Sequence, residues 1–356
     1  MTHFPSPYQV ELFDEIERQA SGALSVCYLY EADPDRSWGK RDLGHRATFC
    51  EKDDPLAPEI LDRFSAADLA IFNYYQHPVA EQLIPIRAAS AKPWVFWGER
   101  LGVRFPGLAG RLVRRWKLRW LANSPAPIWG IGQFAVEGYQ AAFGARRSYL
   151  NVPYYSRLDR FTDFPRPKRL AGSHRVVLFS GSLISRKGVD LVARAFVSVA
   201  REFPMMSLRL MGEGPLEPAL REALEPVAAN VEFMGFKDWP ELPAHYAAAD
   251  LLCAPSRYDG WGLVVPEGLA AGLPVIGTRR MGAALDLIQH GRNGWLLPAG
   301  DEEALRNALA HAASLPENDL RVMSDAARQS VTRHSIQHGA ARFLAAARDA
   351  VVNWSA

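Results

Sequence analysis

Short runs rich in β-branched and aromatic residues alternate along this chain with helix-length amphipathic stretches, the pattern that βα units on a parallel sheet require. The first set of runs is Leu24–Tyr30, Leu69–Asn73, Trp94–Trp97, Ile128–Ile131 and Tyr149–Val152. The second is Val176–Ser180, Ser207–Met211, Val231–Phe233, Leu251–Ala254, Val275–Thr278 and Gly294–Leu297. Between them, "DRFTDFPRPKRLAGSHR" replaces periodicity with proline, charge and glycine, so a linker is expected near Asp159–His174. Two doubly wound, Rossmann-like α/β domains follow from this: one over residues 1–165, one over 166–334, and a closing helix over 335–356 that packs back across the interface. A length of 356 residues suits two ordinary domains. With 48% apolar and 22% charged residues, disorder and fibrous architectures are excluded.

The net charge of +2 does not announce nucleic acid, although its distribution is uneven. Cys27, Cys50 and Cys253 are far apart in sequence and lack zinc or disulfide spacing, which fits a reducing cytoplasm. Glu11, Asp14 and Glu15 interrupt the start before any signal-like apolar run, and no stretch approaches the ~18 apolar residues of a membrane span.

Three stretches carry candidate chemistry. In "VVLFSGSLISRKGVDLVARAF" a strand passes through Ser180, Gly181 and Ser182, which let backbone N–H groups approach an anion, and Arg186 and Lys187 follow beside it. A phosphate clamp and a solvated basic turn are both open at this point. In "LRLMGEGPLEPAL", Gly212 and Gly214 close a strand and Pro215 suits a first helical turn, but the third glycine of a dinucleotide fingerprint is missing. The richest stretch is "LLCAPSRYDGWGLVVPEGLAAGLPVIGT". Its loop carries Asp259, Gly260 and Gly262 open the backbone, and Pro266 with Glu267 start a short helix ended by Gly272. The N–H groups of Gly262, Leu263, Val264 and Val265 lie at the positive end of that helix, where a diphosphate is favoured. Carboxylates only accept hydrogen bonds, so Glu267 suits ribose hydroxyls and Asp259 the hydroxyls of a sugar.

From about Val176 to Gly300 the chain resembles the donor domain of family 4 glycosyltransferases, also called group 1, which have the GT-B fold. Asp259 and Glu267 have the spacing of that family's E-x7-E signature, and Arg186 and Lys187 fall where it keeps a diphosphate-binding basic pair. Gly235 in "VEFMGF" fits the place where the family passes its backbone under the nucleotide base. The resemblance implies two Rossmann-like domains facing across a cleft. It also implies sugar transfer from a nucleotide-diphosphate sugar, UDP- or GDP-linked, with retention and without a metal or other cofactor. The first acid is Asp rather than Glu, about one methylene shorter, which bears on which sugar hydroxyl it holds.

On the acceptor side, relatives often place a histidine after an amino-domain strand; here Glu99 follows Trp97 and Gly98, and is taken as an acceptor- or sugar-facing residue or a helix cap. His77 is the alternative polar group, and Ser6 and Gln9 fall in an opening resembling the family's loop beneath the donor. Between Arg100 and Trp120 there is no acid, while Arg100, Arg104, Arg111, Arg114, Arg115, Lys117 and Arg119 alternate with Trp116, Trp120 and aliphatics. An amphipathic helix there suits an anionic membrane surface, and equally an ordinary solvated face. A membrane role points to a glycan or lipid-linked acceptor in cell-envelope polysaccharide or lipopolysaccharide synthesis, with the protein cytoplasmic or peripheral on the inner face.

Other readings are weaker. "GIGQFA" from Gly130 matches a dinucleotide turn, but no acid closes the next strand. Asp33 and Asp35 mimic a metal-binding D-x-D but lie too early. A sugar-nucleotide epimerase of the same fold needs an acid–base pair that is not evident, and a nucleic-acid-binding protein needs a groove-entering motif beyond the arginines.

Overall fold

The computed structural model describes residues 1–32, 42–50, 57–75, 77–101, 113, 116, 118–165 and 174–354. It divides into two compact units, Met1–Arg157 with Ile336–Ala356, and Leu158–Ser335. The boundary therefore falls eight residues before the expected one, because Asp159–Thr162 is not linker but a helical turn that buries Phe161 against Tyr246 of the second unit.

In the first unit, strands β1 (Ser25–Tyr28) and β2 (Arg46–Phe49) pair in parallel, and β3 (Ala70–Phe72), β4 (Trp94–Gly98), β5 (Ile128–Gly130) and β6 (Tyr149–Asn151) form a four-stranded parallel sheet in that order. The expected single sheet is thus split, and Met1–His3 stitch the pieces. The Thr2 N–H donates to the Cys27 carbonyl at 3.0 Å, while the Met1 carbonyl accepts from Asn73 at 2.9 Å. The closing helix, Ile336–Val352, belongs to this unit. Phe343 meets the edges of Trp97 and Trp129, and Gly339 lies so close to the Tyr155 ring that a Cβ would meet it at 2.3 Å. The cysteine reading also needs correction. Parallel pairing of β1 and β2 brings the Cys27 and Cys50 sulfurs to 3.4 Å, although 23 residues separate them.

The second unit holds β7 (Arg175–Ser180), β8 (Met206–Met211), β9 (Val231–Gly235), β10 (Leu251–Ala254), β11 (Val275–Thr278) and β12 (Gly294–Leu297) in one all-parallel sheet. Its order is β9-β8-β7-β10-β11-β12, so the winding reverses between β7 and β10. Val177, Phe179, Leu208, Leu251 and Ile276 are buried with Phe196 and Leu309 from the covering helices, which is why these strands read as unbroken apolar runs. Ligands of open α/β sheets bind outside the carboxyl ends of the strands at such a reversal.

Candidate functional site

The two strands flanking the reversal end in the two stretches singled out by sequence. After β7 the chain turns at Gly181, forms a 3₁₀ turn over Ser185–Lys187 and enters the helix Val189–Glu202 through Gly188. Gly188 is obligatory: its φ is +75°, and a Cβ there would lie 2.2 Å from the Pro255 carbonyl oxygen. After β10 the chain runs through Pro255–Gly262 into the helix Val264–Ala270. That helix begins two residues earlier than Pro266, and it ends as expected at Gly272, φ +75°.

These two loops are cross-linked along their length. The Arg257 N–H donates to the Arg186 carbonyl at 2.9 Å, and Arg186 Nη1 donates to the Tyr258 carbonyl at 3.1 Å. Lys187 Nζ meets Asp259 Oδ2 at 2.5 Å. Arg257 forks onto both Asp190 oxygens at 2.6 Å and reaches the Ser185 carbonyl. Burial pulls the Asp190 carboxyl upward, but the Arg257 hydrogen bonds and charge outweigh it and leave it below the usual carboxylate value. Arg194 adds a 2.7 Å bond to Glu302 from the far side. The backbone of Asp259 is pinned as well, its N–H donating to Arg280 and its carbonyl accepting from Gly282.

Glu267 is buried at 3% exposure on the short helix, and the Tyr246 hydroxyl donates to its Oε2 at 3.1 Å. Burial first, and then the Glu267 charge, raise the Tyr246 phenol well above its ordinary value, with Ser180 pulling the other way, so it stays a donor. Arg186, Lys187, Asp259 and Glu267 therefore share the end of the sheet at its reversal. Arg257, Asp190 and Tyr246 complete the arrangement and were not found from sequence; their partners are distant in the chain.

The glycines divide by role. Gly212 has φ +138°, and a Cβ would fall 2.1 Å from the Gly181 carbonyl oxygen, so these two turns touch backbone to backbone. Gly235, φ +67°, accepts from the Gly212 N–H at 2.9 Å and continues that seam, with the Glu213 carboxylate nearby. Gly262, φ +91°, faces Met281 and the Asp259 carboxyl, and Gly260 packs its carbonyl on Gly282. Ser182 is exposed beside Gly181. Among the helix-end N–H groups, that of Val265 is committed to the Gly262 carbonyl at 3.1 Å, leaving Gly262, Leu263 and Val264 as the expected anion contacts.

The first-unit candidates are placed differently. Glu99 is exposed after β4, and its carbonyl accepts from the Tyr139 hydroxyl at 2.7 Å. His77 caps the helix Pro78–Ala89, Nδ1 accepting from the Val79 N–H at 3.2 Å, a structural role. Ser6 and Gln9 are buried and bonded to each other at 3.0 Å, and Gln9 goes on to Asn73 at 2.9 Å, so they tie the opening to the sheet. In "GIGQFA", Gly130 packs where a Cβ would meet the Val136 nitrogen at 2.6 Å, and the next strand ends at Asn151, so a tight strand-to-helix turn explains it. Asp33, Asp35, Arg104, Arg111, Arg114, Arg115 and Lys117 lie outside the described residues; Arg119 begins a short helix, and Trp116 is 67% exposed. No described helix is long and apolar enough to cross a membrane.

Comparison with known proteins places this architecture among the GT-B glycosyltransferase folds. Over 97% of the chain and 98% of its counterpart it superposes on HepE of Anabaena, solved in complex with UDP, with a TM-score of 0.74 at 16% identity. Residues 174–314, within the second unit, match the family described as Glycosyl transferases group 1. The GDP-mannose-dependent alpha-(1-6)-phosphatidylinositol monomannoside mannosyltransferase of Mycolicibacterium smegmatis is 30% identical over 219 residues, 57% of each chain. The putative colanic acid biosynthesis glycosyltransferase WcaL of Escherichia coli is 28% identical over 182 residues, 49% of this chain and 44% of that one. The chain thus spans under two thirds of the length of the curated relatives it matches.

Proposed function

We propose that the protein is a retaining, metal-independent glycosyltransferase that moves a sugar from a UDP- or GDP-linked donor to a glycan or lipid-linked acceptor of the cell envelope. The observation that carries the reading is the meeting of Arg186, Lys187, Asp259 and Glu267 at the reversal of the sheet, inside a domain of group 1 type. A diphosphate seated at the Gly181 turn meets fixed cations, and each charge-assisted contact contributes about 1.5–3 kcal/mol. As the sugar–phosphate bond breaks, negative charge grows on the diphosphate, and Arg186 and Lys187 stabilise it. Glu267 holds the ribose, Asp259 the sugar. The leaving phosphate accepts the acceptor's proton on the same face, so no enzymic nucleophile is needed. Glu99 faces the acceptor or sugar, and the basic stretch through Arg119 rests on anionic lipid.

Donor hydrolysis across a panel of nucleotide sugars, run in EDTA, tests the activity, and the anomeric configuration of the product by NMR tests retention. Lys187→Ala and Glu267→Ala each lower turnover by more than about a hundredfold, the scale of losing a transition-state contact, with unchanged circular dichroism. Retained rates in both variants contradict the site.

A further inference from the structure

The ion pair between Lys187 and Asp259 is short, and both partners are largely shielded: their side chains keep 20% and 12% exposure. Neither end can retreat by moving its backbone. Lys187 sits on a turn fixed by Arg257 to the Ser185 carbonyl and Asp190, and Asp259 is pinned between Arg280 and Gly282. The lysine stem lies over Gly181, where a Cβ would touch its Cδ and Cε at 4.0 Å. The cation thus stands at the anion turn already neutralised by a carboxylate.

We infer that Asp259 competes with the terminal phosphate of the bound nucleotide for Lys187, and so sets how readily a nucleoside diphosphate leaves. This rests on the donor reading above. In the donor the second phosphate is esterified to the sugar, whose hydroxyls donate to Asp259. In the product that phosphate carries one more negative charge and the sugar is gone, so Asp259 has only repulsion and the lysine to turn to. Its carboxylate thus favours donor over product.

Calorimetric titration with UDP and GDP of the wild type, Asp259→Asn, Lys187→Ala and the double variant tests this. Asp259→Asn binds the diphosphate at least about fivefold more tightly, the scale of one partly screened ion pair. The gain shrinks when Lys187 is already alanine, because the competed cation is gone and only the repulsion between Asp259 and the phosphate is left to relieve. Equal or weaker binding by Asp259→Asn overturns the inference, as does a gain undiminished when Lys187 is alanine. If the wild type binds neither nucleotide, or Lys187→Ala binds as well as wild type, the donor reading itself fails. Asn is isosteric with Asp, and a thermal melt of each variant confirms that folded protein is titrated.

Discussion

Replacing Tyr246 by Phe removes one hydroxyl from the second unit and leaves its packing in place. Tyr246 is fully buried, its ring lies 5.0 Å from that of Phe161, and its hydroxyl donates to Glu267 Oε2 at 3.1 Å. Because the ring stays, no cavity forms, and the loss is that of one hydrogen bond to a charged acceptor, about 1.5–3 kcal/mol. For a unit of this size each kcal/mol is worth about 2–4 °C, so the melting temperature falls by about 3–12 °C. A second effect is separable from stability. Without that donor the Glu267 carboxylate is no longer held in one orientation, so nucleotide affinity falls in Tyr246→Phe. Differential scanning fluorimetry reads the first effect, and UDP or GDP titration reads the second. An unchanged melting temperature together with wild-type nucleotide affinity refutes the claim that Tyr246 orients Glu267.

Gly188→Ala destabilises by more than about 1 kcal/mol, since φ is positive and the added methyl meets the Pro255 carbonyl; urea denaturation measures it, and wild-type stability would falsify the tight approach of the two loops. Asp190, held below the usual carboxylate value in the folded chain, contributes stability that is present above pH ~4 and lost as pH falls through its folded value. The stability gap between wild type and Asp190→Asn is therefore open at neutral pH and closes under acid, and a gap that survives acidification sinks the idea. The double charge reversal Arg114→Glu, Arg115→Glu lowers recovery with anionic vesicles in a liposome flotation assay; equal recovery ends the membrane reading.

Much of the framework was legible because buried parallel strands are continuous apolar runs: every run expected from sequence is a strand, within a residue or two. β2, "RATF", escaped because it opens on Arg46 and only half-buries its side chains. The split of the first sheet escaped because Met1–His3 join it through backbone hydrogen bonds, which carry no side-chain signature. The same holds at the site. Glycines and acids at fixed spacing were visible, whereas Tyr246 beside Glu267 and Arg257 across Asp190 are tertiary pairs 21 and 67 residues apart. No local period encodes them.

Strand order turns those distant residues into one site. β10 follows β9 in sequence but pairs with β7 on the other side, which brings the loop after Ala254 against the turn after Ser180. Helices leave β7 and its neighbour in opposite directions at such a reversal, so a crevice opens there without any special sequence. This sequence adds rigidity: the Arg257 fork, the Gly188–Pro255 approach and the Arg186–Tyr258 bond lock the cationic turn to the acidic loop. Charges held in that way need little reorganisation when an anion arrives, and stabilise charge that develops later in the reaction. The Lys187–Asp259 pair is the exception within the lock, since it must open for Lys187 to meet a phosphate. Fixed surroundings confine that change to the two side chains, so the competition between carboxylate and phosphate is decided by charge rather than by loop movement.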